Sequence, residues 1–578
     1  MIKLLRYIKG YEKQAIIAPL FKMLEASFEL IVPLVMASMI DVGVREQNMN
    51  HIWKMGAILI FLGVLGLTCS VIAQFFSAKA AVGFGTALRE DLFQHINEFS
   101  YSELDRVGTA TLITRMTSDV NQVQGGVNMV LRLLLRSPFI VVGALIMAFT
   151  VSFRLAIIFV IAVPILALII YGTMLISIPL YKKVQKALDQ ILQSTRENIV
   201  GIRVVRAFRT QEKEKEEFAE ENRAFLIFQM MVGRLSALLN PLTYVIVNAA
   251  TIAIVWYGGK EVYFGNLTQG EVIALVNYMT QILTALVALS ILIVSFTKAI
   301  ASASRINDLF AMTSTMEDGE KEGFAPQDVM VSFQNVGFTY QGAKEEALSH
   351  ITFDVKRGET IGIIGGTGSG KSTLVNLIPR FYDITTGKLC VAGEEVNQYQ
   401  MEELRKRIGV VPQKSVLFKG TLRENMKFGN EAATDEQIWK ALEIAQATEI
   451  VNQKGEGLDV KITQSGKNLS GGQKQRFAIA RALVKEPDIL ILDDSASALD
   501  FATDAKLRKA IEEHTDGMTV FIVSQRAASI MHADKIIVLD DGEMVGIGTH
   551  AELLRSCEVY KEICSSQLSK EEVAKYVS

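Results

Sequence analysis

The sequence has few cysteines: Cys69, Cys390, Cys557 and Cys564 are the only ones in 578 residues. Their positions fit neither the paired spacing of a zinc site nor a disulfide framework. We therefore expect a reducing compartment for any soluble part of the chain, and neither kind of cross-link is expected to hold the fold together.

An excess of positive charge is also missing. The 59 lysines and arginines are matched by 62 aspartates and glutamates, and the formal net charge is −3. Domains that bind nucleic acid usually carry a basic patch or a strongly basic overall charge. Nucleic acid is therefore not expected as a partner.

Apolar residues, in contrast, make up 50% of the chain, and many of them lie in long runs in its first part. Each run comes close to the roughly 20 helical residues that cross a bilayer. Together they predict an α-helical domain over residues 1–310 with about six membrane crossings, embedded in a lipid bilayer. The runs are Ile16 to Ile40, Met55 to Ala78, Ser137 to Val151, Leu155 to Leu175, Leu242 to Tyr257 and Val272 to Phe296.

Two of the connections between these runs are long and rich in arginine and lysine, namely those after the second and the fourth run. Positive residues favour the cytoplasmic side, so we expect both termini and both long connections to face the cytoplasm. Few helix breakers interrupt the connections, which predicts helices that extend beyond the membrane by about 1.5 Å per residue. The expected location is the cell membrane, with several crossings.

Charged and amide side chains lie inside two of the apolar runs, where an unpaired charge is costly. Lys22, Glu25 and Glu29 recur at helical spacing in the first run. Asn277 and Gln281 share a helical face in the last run. One interpretation is a cavity for a cationic substrate or a proton. The other is that Lys22 neutralises the carboxylates, or that all three lie near the membrane interface, and that the amides join neighbouring helices.

A polar segment separates the apolar part from a soluble part. Residues 311–327 combine Thr, Ser, Asp, Glu, Gly and Pro with little apolar periodicity, which is typical of a linker. In residues 328–578, strand-like apolar runs alternate with helical ones. The sequence therefore predicts a second, soluble domain with a helical tail at its C-terminal end.

The most informative stretch of the soluble part fits the pattern G-x-x-x-x-G-K-[ST], between a strand-like run and a helical run. Small residues there let backbone N–H groups surround a phosphate. We expect Lys371 to reach the β- and γ-phosphates and Ser372 to hold Mg²⁺. The predicted nucleotide-binding residues are Gly365, Gly366, Thr367, Gly368, Ser369, Gly370, Lys371, Ser372 and Thr373.

Other polar residues of the soluble part complete this prediction. Tyr340 precedes the phosphate loop and offers a ring that can stack on adenine, while Gln413 follows a strand-like run and offers a carbonyl to Mg²⁺ or to water. Asp493 ends a buried-strand run, an arrangement suited to holding Mg²⁺ at a sheet edge. A second glycine-containing helix start suits a γ-phosphate, and it consists of Leu469, Ser470, Gly471, Gly472 and Gln473.

In order and spacing these motifs, with Ser497 to Asp500 after them, resemble the nucleotide-binding domain of an ATP-binding cassette (ABC) transporter. With about six membrane helices ahead of it, the whole chain resembles an exporter half-transporter. The resemblance implies a helical transmembrane domain followed by an α/β P-loop NTPase domain. It also implies an ATPase with ATP and Mg²⁺ as cofactors, coupled to transport, and a role for Asp500 in catalysis.

The same resemblance implies a dimer in which each ATP lies between one half's phosphate loop (Walker A) and the other half's signature, here Leu469 to Gln473. It further implies that short coupling helices in the two long connections dock on the nucleotide domains. We expect them near Thr117 to Val123 and near Arg209 to Lys213, the second one crossing to the opposite half.

Two positions depart from the family pattern. Asp494 stands where the family usually has a glutamate that acts as general base, and Gln525 stands where a histidine usually contacts the γ-phosphate. The aspartate carboxylate retreats by about 1.5 Å, and a misplacement of that size can cost about a hundredfold in rate. Glutamine donates a hydrogen bond but carries no positive charge. We expect this site to bind ATP and to hydrolyse it slowly.

Two assemblies agree with these departures. In a heterodimer, this chain's Walker motifs form a degenerate, slowly hydrolysing site, and its signature completes a competent site on a second half-transporter. Such heterodimers are often multidrug exporters, which implies small hydrophobic or amphipathic substrates. In a homodimer, both substitutions are tolerated. A lipid or peptide translocator and an ATP-sensing membrane regulator that does not transport are the alternative functions.

Overall fold

The computed structural model describes residues 2–495, 497–514 and 517–568, which form two compact units. The first unit contains the chain up to Asn97 together with Ala110–Met312. The second contains the short segment Glu98–Thr109 together with the chain from Thr313 onward. The sequence predicts a boundary after residue 310 and does not predict that residues 98–109 pack with the second unit.

Up to residue 310 the described chain is almost entirely helical. A 3₁₀ segment covers Ile2–Ile8, and π-helical segments cover Met39–Val44 and Arg115–Asp119. The α-helices in this part are α1 (Glu12–Ser38), α2 (Met49–Asn97), α3 (Tyr101–Val107), α4 (Thr109–Thr114), α5 (Val120–Leu133), α6 (Arg136–Val151), α7 (Phe153–Val200), α8 (Ile202–Ala207), α9 (Gln211–Tyr263) and α10 (Gln269–Phe310).

Six helical stretches of the described chain are long and apolar enough to cross a membrane, which confirms the predicted crossings. α9 alone has 53 residues, which corresponds to about 80 Å of helix, whereas the hydrocarbon core of a bilayer is about 30 Å thick. The helices therefore continue well beyond the membrane. The stretches are Glu12–Val44, Met49–Asn97, Thr109–Val151, Phe153–Val200, Gln211–Tyr263 and Gln269–Phe310.

Small residues lie where the helices of the first unit approach each other. Ala26, Ala73 and Ala144 are fully buried. A Cβ atom at Gly143 would lie 2.4 Å from Cδ1 of Leu30, so this glycine permits the close approach of α1 and α6. Lipid tails are as apolar as leucine, so close packing rather than the hydrophobic effect holds membrane helices together.

A buried carboxylate joins two of the helical stretches outside the apolar runs. Asp119 is 2% exposed, and it accepts hydrogen bonds from Arg115 Nη1 at 2.7 Å and from Arg305 Nε at 3.1 Å. Arg305 also donates to Ser302 Oγ at 2.9 Å. Removing one member of such a group leaves the charges of the others uncompensated in a site away from water.

Replacing Asp119 by alanine is expected to destabilise the protein by about 3 kcal/mol, the lower end of the range for buried pairs, because Arg305 is partly exposed. The loss should appear as a lower apparent melting temperature of the purified protein. Asp189→Ala is the control, because Asp189 is exposed and accepts a hydrogen bond from the exposed Gln185. Equal losses in the two variants would contradict the structural role of Asp119.

The second unit is built on three sheets. In the largest, the order is β12-β11-β3-β10-β9-β6, with only β12 antiparallel to its neighbour; an antiparallel sheet has the order β2-β1-β4-β5, and β7 pairs with β8. The strands are β1 (Val329–Phe338), β2 (Leu348–Lys356), β3 (Thr360–Gly365), β4 (Thr386–Val391), β5 (Glu394–Glu395), β6 (Ile408–Val411), β7 (Gly420–Thr421), β8 (Lys461–Ile462), β9 (Ile489–Asp493), β10 (Thr519–Val523), β11 (Lys535–Asp540) and β12 (Glu543–Gly548).

Helices cover the parallel strands, and this explains why β9 and β10 are buried along their whole length. The helices are α11 (Lys371–Leu377), α12 (Met401–Lys406), α13 (Leu422–Lys427), α14 (Asp435–Ile444), α15 (Thr448–Lys454), α16 (Gly471–Leu483), α17 (Phe501–His514), α18 (Ala527–Ile530), α19 (His550–Ser556) and α20 (Glu558–Gln567), with 3₁₀ turns at Gly457–Asp459 and Gln464–Gly466.

The carboxyl ends of the parallel strands meet at one edge of the large sheet. The phosphate loop follows β3, Gln413 follows β6, Asp493 ends β9, and Gln525 follows β10. Ligands of open α/β sheets bind outside this edge. The predicted α/β domain is confirmed, and its topology brings together residues that lie far apart in the sequence.

Candidate active site

Two glycines of the phosphate loop have no room for a side chain. A Cβ atom at Gly365 would lie 2.1 Å from the carbonyl oxygen of Leu539. Gly370 has φ +91, in the region that favours glycine, and a Cβ atom there would lie 2.7 Å from Cδ2 of Leu348. The loop can therefore pass close to β11 and β2 and turn directly into α11.

The ammonium group of Lys371 lies over this loop. Its Nζ donates hydrogen bonds to the carbonyl oxygen of Gly365 at 3.0 Å and to Ser369 Oγ at 3.3 Å. Burial lowers the pKa of Lys371, an effect that the carboxylates of Asp494 and Asp493 oppose. A phosphate in the loop would oppose it in the same way, because an opposite charge favours the charged ammonium.

Ser372 and Asp493 form the oxygen pair that a hard cation requires. Ser372 Oγ donates to Asp493 Oδ1 at 2.9 Å, and Asp493 is 7% exposed. Burial raises the pKa of Asp493, which the hydrogen bond from Ser372 opposes and the charge of Asp494 increases. These two residues, with the carbonyl of Gln413, fit Mg²⁺, which prefers hard oxygen ligands. The cation would offset the charge of the β- and γ-phosphates.

Asp494 contacts the predicted glutamine of the site. Gln413 Nε2 donates to Asp494 Oδ2 at 3.3 Å, and the Asp494 N–H donates to the carbonyl of Val523 at 3.0 Å. Asp494 has φ +47, a left-handed conformation that aspartate tolerates better than most residues. The sequence pattern gave no sign of this conformation, but the structure does bring Gln413, Asp493 and Asp494 together.

Tyr340 lies beside the start of α11. Its hydroxyl forms a 2.9 Å hydrogen bond with Thr373 Oγ1, and its side chain is 36% exposed. The rings of Phe338 and Tyr382 contact it edge-on, with centroids 4.8 and 5.4 Å away. This leaves a supported ring next to the phosphate loop, where it can stack on a base.

Asp500 caps the helix that follows it. Its Oδ1 accepts a hydrogen bond from the backbone N–H of Thr503, and its Oδ2 accepts one from Thr503 Oγ1, both at 2.9 Å. These bonds lower the pKa of Asp500. The described contacts of this carboxylate are thus local to the start of α17, and its catalytic role remains a prediction.

The signature segment begins α16 with reciprocal caps. Ser470 Oγ accepts from the backbone N–H of Gln473 at 3.3 Å, and Gln473 Oε1 accepts from the N–H of Ser470 at 3.1 Å. Leu469 anchors the segment, with 7% of its surface exposed. A Cβ atom at Gly471 would have ordinary contact with Ala498 at 3.7 Å, whereas one at Gly472 would be tight.

Two side chains that the sequence analysis missed hold the segment around Gln525. Arg526 donates to the carbonyl oxygens of Ser497 at 3.1 Å and Leu499 at 3.3 Å. Gln567 of α20 donates to the carbonyl of Gln525 at 2.8 Å and accepts from the N–H of Ala527 at 2.8 Å. The position of Gln525 is thus tied to the segment Ser497 to Asp500 and to the last described helix.

In the first unit, the two carboxylates of the first apolar run are both paired. Glu25 Oε2 lies 2.6 Å from Lys22 Nζ, as one sequence interpretation expects. Glu29 Oε2 lies 2.8 Å from Nη2 of Arg136, a partner that the sequence analysis did not find. Local neutralisation therefore accounts for the charge of Glu25 and of Glu29.

The amides of the last apolar run also lie at helix contacts. Gln281 donates through Nε2 to the backbone carbonyl of Glu29 at 3.2 Å, while its Oε1 is buried without a hydrogen-bond partner. Asn277, one turn earlier, is half-buried. Gln281 and Glu29 thus share one contact between α1 and α10, and Glu25 is held by Lys22.

Comparison with known proteins decides the family. Residues 15–314 match the ABC transporter transmembrane region, and residues 348–497 match the ABC transporter family. The chain belongs to the ABC transporter family. As expected, it is a multi-pass membrane protein, and its ATPase domain lies on the cytoplasmic side.

Several ABC transporters are similar along their length. The uncharacterized ABC transporter ATP-binding protein YfiB of Bacillus subtilis is 37% identical, over 99% of both chains. The putative multidrug export ATP-binding/permease protein YgaD of the same species is 31% identical, over 98% of this chain and 99% of its own. An ATP-dependent lipid A-core flippase of Desulfotalea psychrophila is 33% identical over 86% of both.

The fold is that of an ABC exporter. A bacterial Atm1-family ABC exporter with ATP bound superposes with a TM-score of 0.79, over 97% of this chain and 99% of that chain, at 23% sequence identity. One transmembrane region followed by one ATPase domain is the arrangement of a half-transporter. The chain is therefore half of an ATP-driven ABC transporter, with the predicted fold class confirmed.

Proposed function

We propose that this chain is one subunit of a heterodimeric ABC exporter of the multidrug type. Its own Walker motifs, with Asp494 and Gln525, form a degenerate ATP site, and its signature completes the competent site of a second half-transporter. The observation that carries the proposal is the combination of an intact phosphate loop and signature with a shortened carboxylate at the position of the general base.

Capture of ATP and its hydrolysis depend on different residues. The glycine loop, Lys371, Ser372 and Asp493 retain every group needed to bind the phosphates and Mg²⁺. The Asp494 carboxylate, in contrast, is about 1.5 Å shorter in reach than a glutamate, and it accepts a hydrogen bond from Gln413. Gln525 brings no positive charge to the transition state. This chain's site therefore holds ATP and cleaves it slowly.

The signature, by comparison, has everything that a partner's ATP requires. Ser470 and the N–H groups at the start of α16 supply hydrogen-bond donors, and a helix N-terminus favours an anion. The two glycines keep the backbone accessible to a γ-phosphate. The competent site then consists of this signature and the partner's Walker motifs.

Exposed apolar side chains on each unit support the dimer. At the tip of the second long connection, Val200 is 81% exposed and Phe208 is 76% exposed on either side of α8. On the second unit, Phe418 and Phe428 stack at 4.6 Å and are 50% and 64% exposed. Apolar groups left open in this way mark interaction sites. We place the partner's connection on these rings, and this chain's tip on the partner's ATPase domain.

We propose a first coupling helix that lies earlier in the chain than the predicted segment Thr117 to Val123. Thr117 to Val123 falls in the π-helical segment Arg115–Asp119 and α5 of the first unit. The segment that packs with the ATPase domain is Glu98–Thr109, which contains α3. α3 takes this role in the proposal, while the tip at α8 lies just before the predicted segment Arg209 to Lys213.

The proposed substrates are small hydrophobic or amphipathic compounds. The pairing of Glu25 with Lys22 and of Glu29 with Arg136 leaves no excess charge at these positions, which favours substrates with little net charge over small cations. Glu25, Glu29, Asn277 and Gln281 are each partly exposed beside these contacts, and we propose that they line the substrate cavity. A similar protein named as a multidrug exporter supports this class. Lipid translocation is the second candidate, because another similar protein is a lipid A-core flippase.

Replacing Tyr340 by alanine is expected to weaken ATP binding by about 1–3 kcal/mol, the usual value of a base stacked on an aromatic ring. Binding of tripolyphosphate should not change, because it has no base. Titration of the purified chain with both ligands measures the difference. Tyr399→Phe is the control, because Tyr399 is buried elsewhere and donates to the carbonyl of Val391. Equal weakening of both ligands would contradict stacking on Tyr340.

The proposed function is tested by purifying the chain alone and with its partner. Alone, it should bind ATP with little turnover; reconstituted with the partner in proteoliposomes, it should move a hydrophobic dye and show turnover that the dye stimulates. Rapid ATP turnover by the chain alone would contradict the heterodimer. Turnover without solute movement would favour an ATP-sensing regulator.

A further inference from the structure

α3 is held to the ATPase domain by an aromatic and a polar contact. The Tyr382 hydroxyl donates to Asp105 Oδ2 at 2.6 Å. The ring of Tyr101 stacks on Phe381 with centroids 4.5 Å apart and an interplanar angle of 25°. Burial, together with Asp105, raises the pKa of Tyr382. The phenol therefore keeps its proton at neutral pH and donates to the carboxylate.

The opposite side of α3 is fixed to the linker. Glu103 is 2% exposed, and its carboxylate accepts from the N–H of Ser100 at 3.0 Å and from Thr315 Oγ1 at 2.9 Å. Burial alone would raise the pKa of Glu103, but the bonds from Ser100 and Thr315 lower it. α3 is thus held between the linker and Tyr382, and a displacement of Tyr382 acts on a helix that is fixed at its other side.

Tyr382 also contacts the ring assigned to adenine. The rings of Tyr382 and Tyr340 meet edge-to-face, with centroids 5.4 Å apart and an interplanar angle of 81°. Tyr382 is 8% exposed, so its ring has little space in which to move independently. Tyr340 in turn is bonded to Thr373, next to the Mg²⁺ ligand Ser372. One continuous set of contacts therefore leads from the base-stacking ring to Asp105.

We propose that Tyr382 is a positioning residue that joins the adenine-stacking ring of Tyr340 to α3, so that the first long connection responds to the base of the nucleotide as well as to its phosphates. This inference rests on the proposed function, because it takes ATP as the ligand of this site.

The physical basis is the directionality of both contacts. Edge-to-face aromatic pairs have a preferred geometry. The hydrogen bond from a hydroxyl to a carboxylate is short and strong. A base that stacks on Tyr340 fixes the position of this ring, which contacts the ring of Tyr382. The Tyr382 hydroxyl in turn fixes Asp105. A slowly hydrolysing site retains its ATP. The contacts from Tyr340 through Tyr382 therefore keep α3, in the first long connection, fixed for as long as ATP stays bound.

Hydrogen–deuterium exchange of the full-length chain in lipid nanodiscs tests the proposal, with ATP and tripolyphosphate each supplied with Mg²⁺. In the wild type, both ligands should protect residues 365–373, and ATP should protect residues 98–109 more than tripolyphosphate does. Tyr382→Phe should abolish this ATP-specific excess at residues 98–109 while protection of residues 365–373 is kept. Asp105→Ala, a second variant at an exposed position, should do the same.

Tyr399→Phe is again the matched control, because it removes a buried tyrosine hydroxyl bonded to the carbonyl of Val391 at 3.0 Å. It should keep the ATP-specific excess. An undiminished excess in Tyr382→Phe or in Asp105→Ala, with residues 365–373 protected, would overturn this inference alone. Absence of protection at residues 365–373 in the wild type would overturn the proposed nucleotide site and this inference with it.

Discussion

Replacing Gly471 by aspartate is expected to reduce the ATP turnover of the assembled exporter by more than about a hundredfold, whereas Asp494→Asn in the same chain should leave most of it. A Cβ atom at Gly471 has ordinary contact distances within its own chain, so the domain can still fold. The added carboxylate, however, would lie where the partner's γ-phosphate binds and would repel it. The ATPase rate of the purified complex measures both effects.

The difference in ATP turnover between these two variants tests whether the two ATP sites are unequal. Asp494→Asn is the matched control, because it removes a carboxylate from this chain's own site without a change in size. Photolabelling with an azido-ATP should still mark this chain in the Gly471→Asp complex, since the loop that holds Lys371 is unaltered. Equal losses of turnover from the two variants would contradict a division into a competent and a degenerate site.

The second large effect is an increase in the rate of ATP hydrolysis at this chain's own site. Asp494→Glu combined with Gln525→His is expected to raise hydrolysis at this chain's own site by about a hundredfold. The longer side chain returns the carboxylate to the distance required of a general base, and the imidazole can bring positive charge to the transition state. Single-turnover measurements on the complex resolve the rate of this site.

The gain must come from the Walker motifs of this chain. Adding Lys371→Ala to the double variant should remove the gained rate and leave the turnover of the competent site, which provides the control. A glutamate at position 494 destabilises the fold by about 1–2 kcal/mol, because φ there is +47, in the left-handed region. This cost lowers the free energy of unfolding and leaves the activation barrier of ATP hydrolysis unchanged. Unchanged single-turnover rates would show that Asp494 and Gln525 do not limit hydrolysis.

The membrane half and the nucleotide motifs could be predicted because their signals are local in the sequence. Apolar runs long enough for a bilayer reveal the crossings, and all of them lie within observed helices. The phosphate loop is a single contiguous stretch, in which Gly365 and Gly370 have no room for a side chain. Ser372 and Asp493 were each predicted as Mg²⁺ ligands, and the structure brings them together because parallel strands end at the same edge.

Contacts between distant positions could not be predicted in the same way. Arg136 lies 107 residues from Glu29, and no periodicity of the sequence relates the two positions. Asp105 and Tyr382 are 277 residues apart, and a membrane-connection helix that packs with the ATPase domain has no local signal. The sequence analysis therefore placed the first coupling helix at Thr117 to Val123 and did not find α3, which packs with the ATPase domain.

The bonds around Gln525 show a third case. Gln567 is an ordinary glutamine of a C-terminal helix, and only the fold brings it to the carbonyl of Gln525. Arg526 could have been noticed, because it is a cation next to Gln525, a position at which the family resemblance implies a contact with the γ-phosphate. Its hydrogen bond to Leu499, however, depends on how two loops lie at the sheet edge.

A heterodimer with unequal ATP sites can be tested by trapping the nucleotide after hydrolysis, in the exporter purified from its native membrane through a tag on this chain. The increase in azido-ATP label that depends on vanadate marks the subunit whose Walker motifs have cleaved ATP. We expect this increase on a second, different half-transporter and little of it on this chain, which is labelled about equally with and without vanadate. A complex that contains only copies of this chain, with a strong vanadate-dependent increase on each, would contradict the heterodimer with unequal sites.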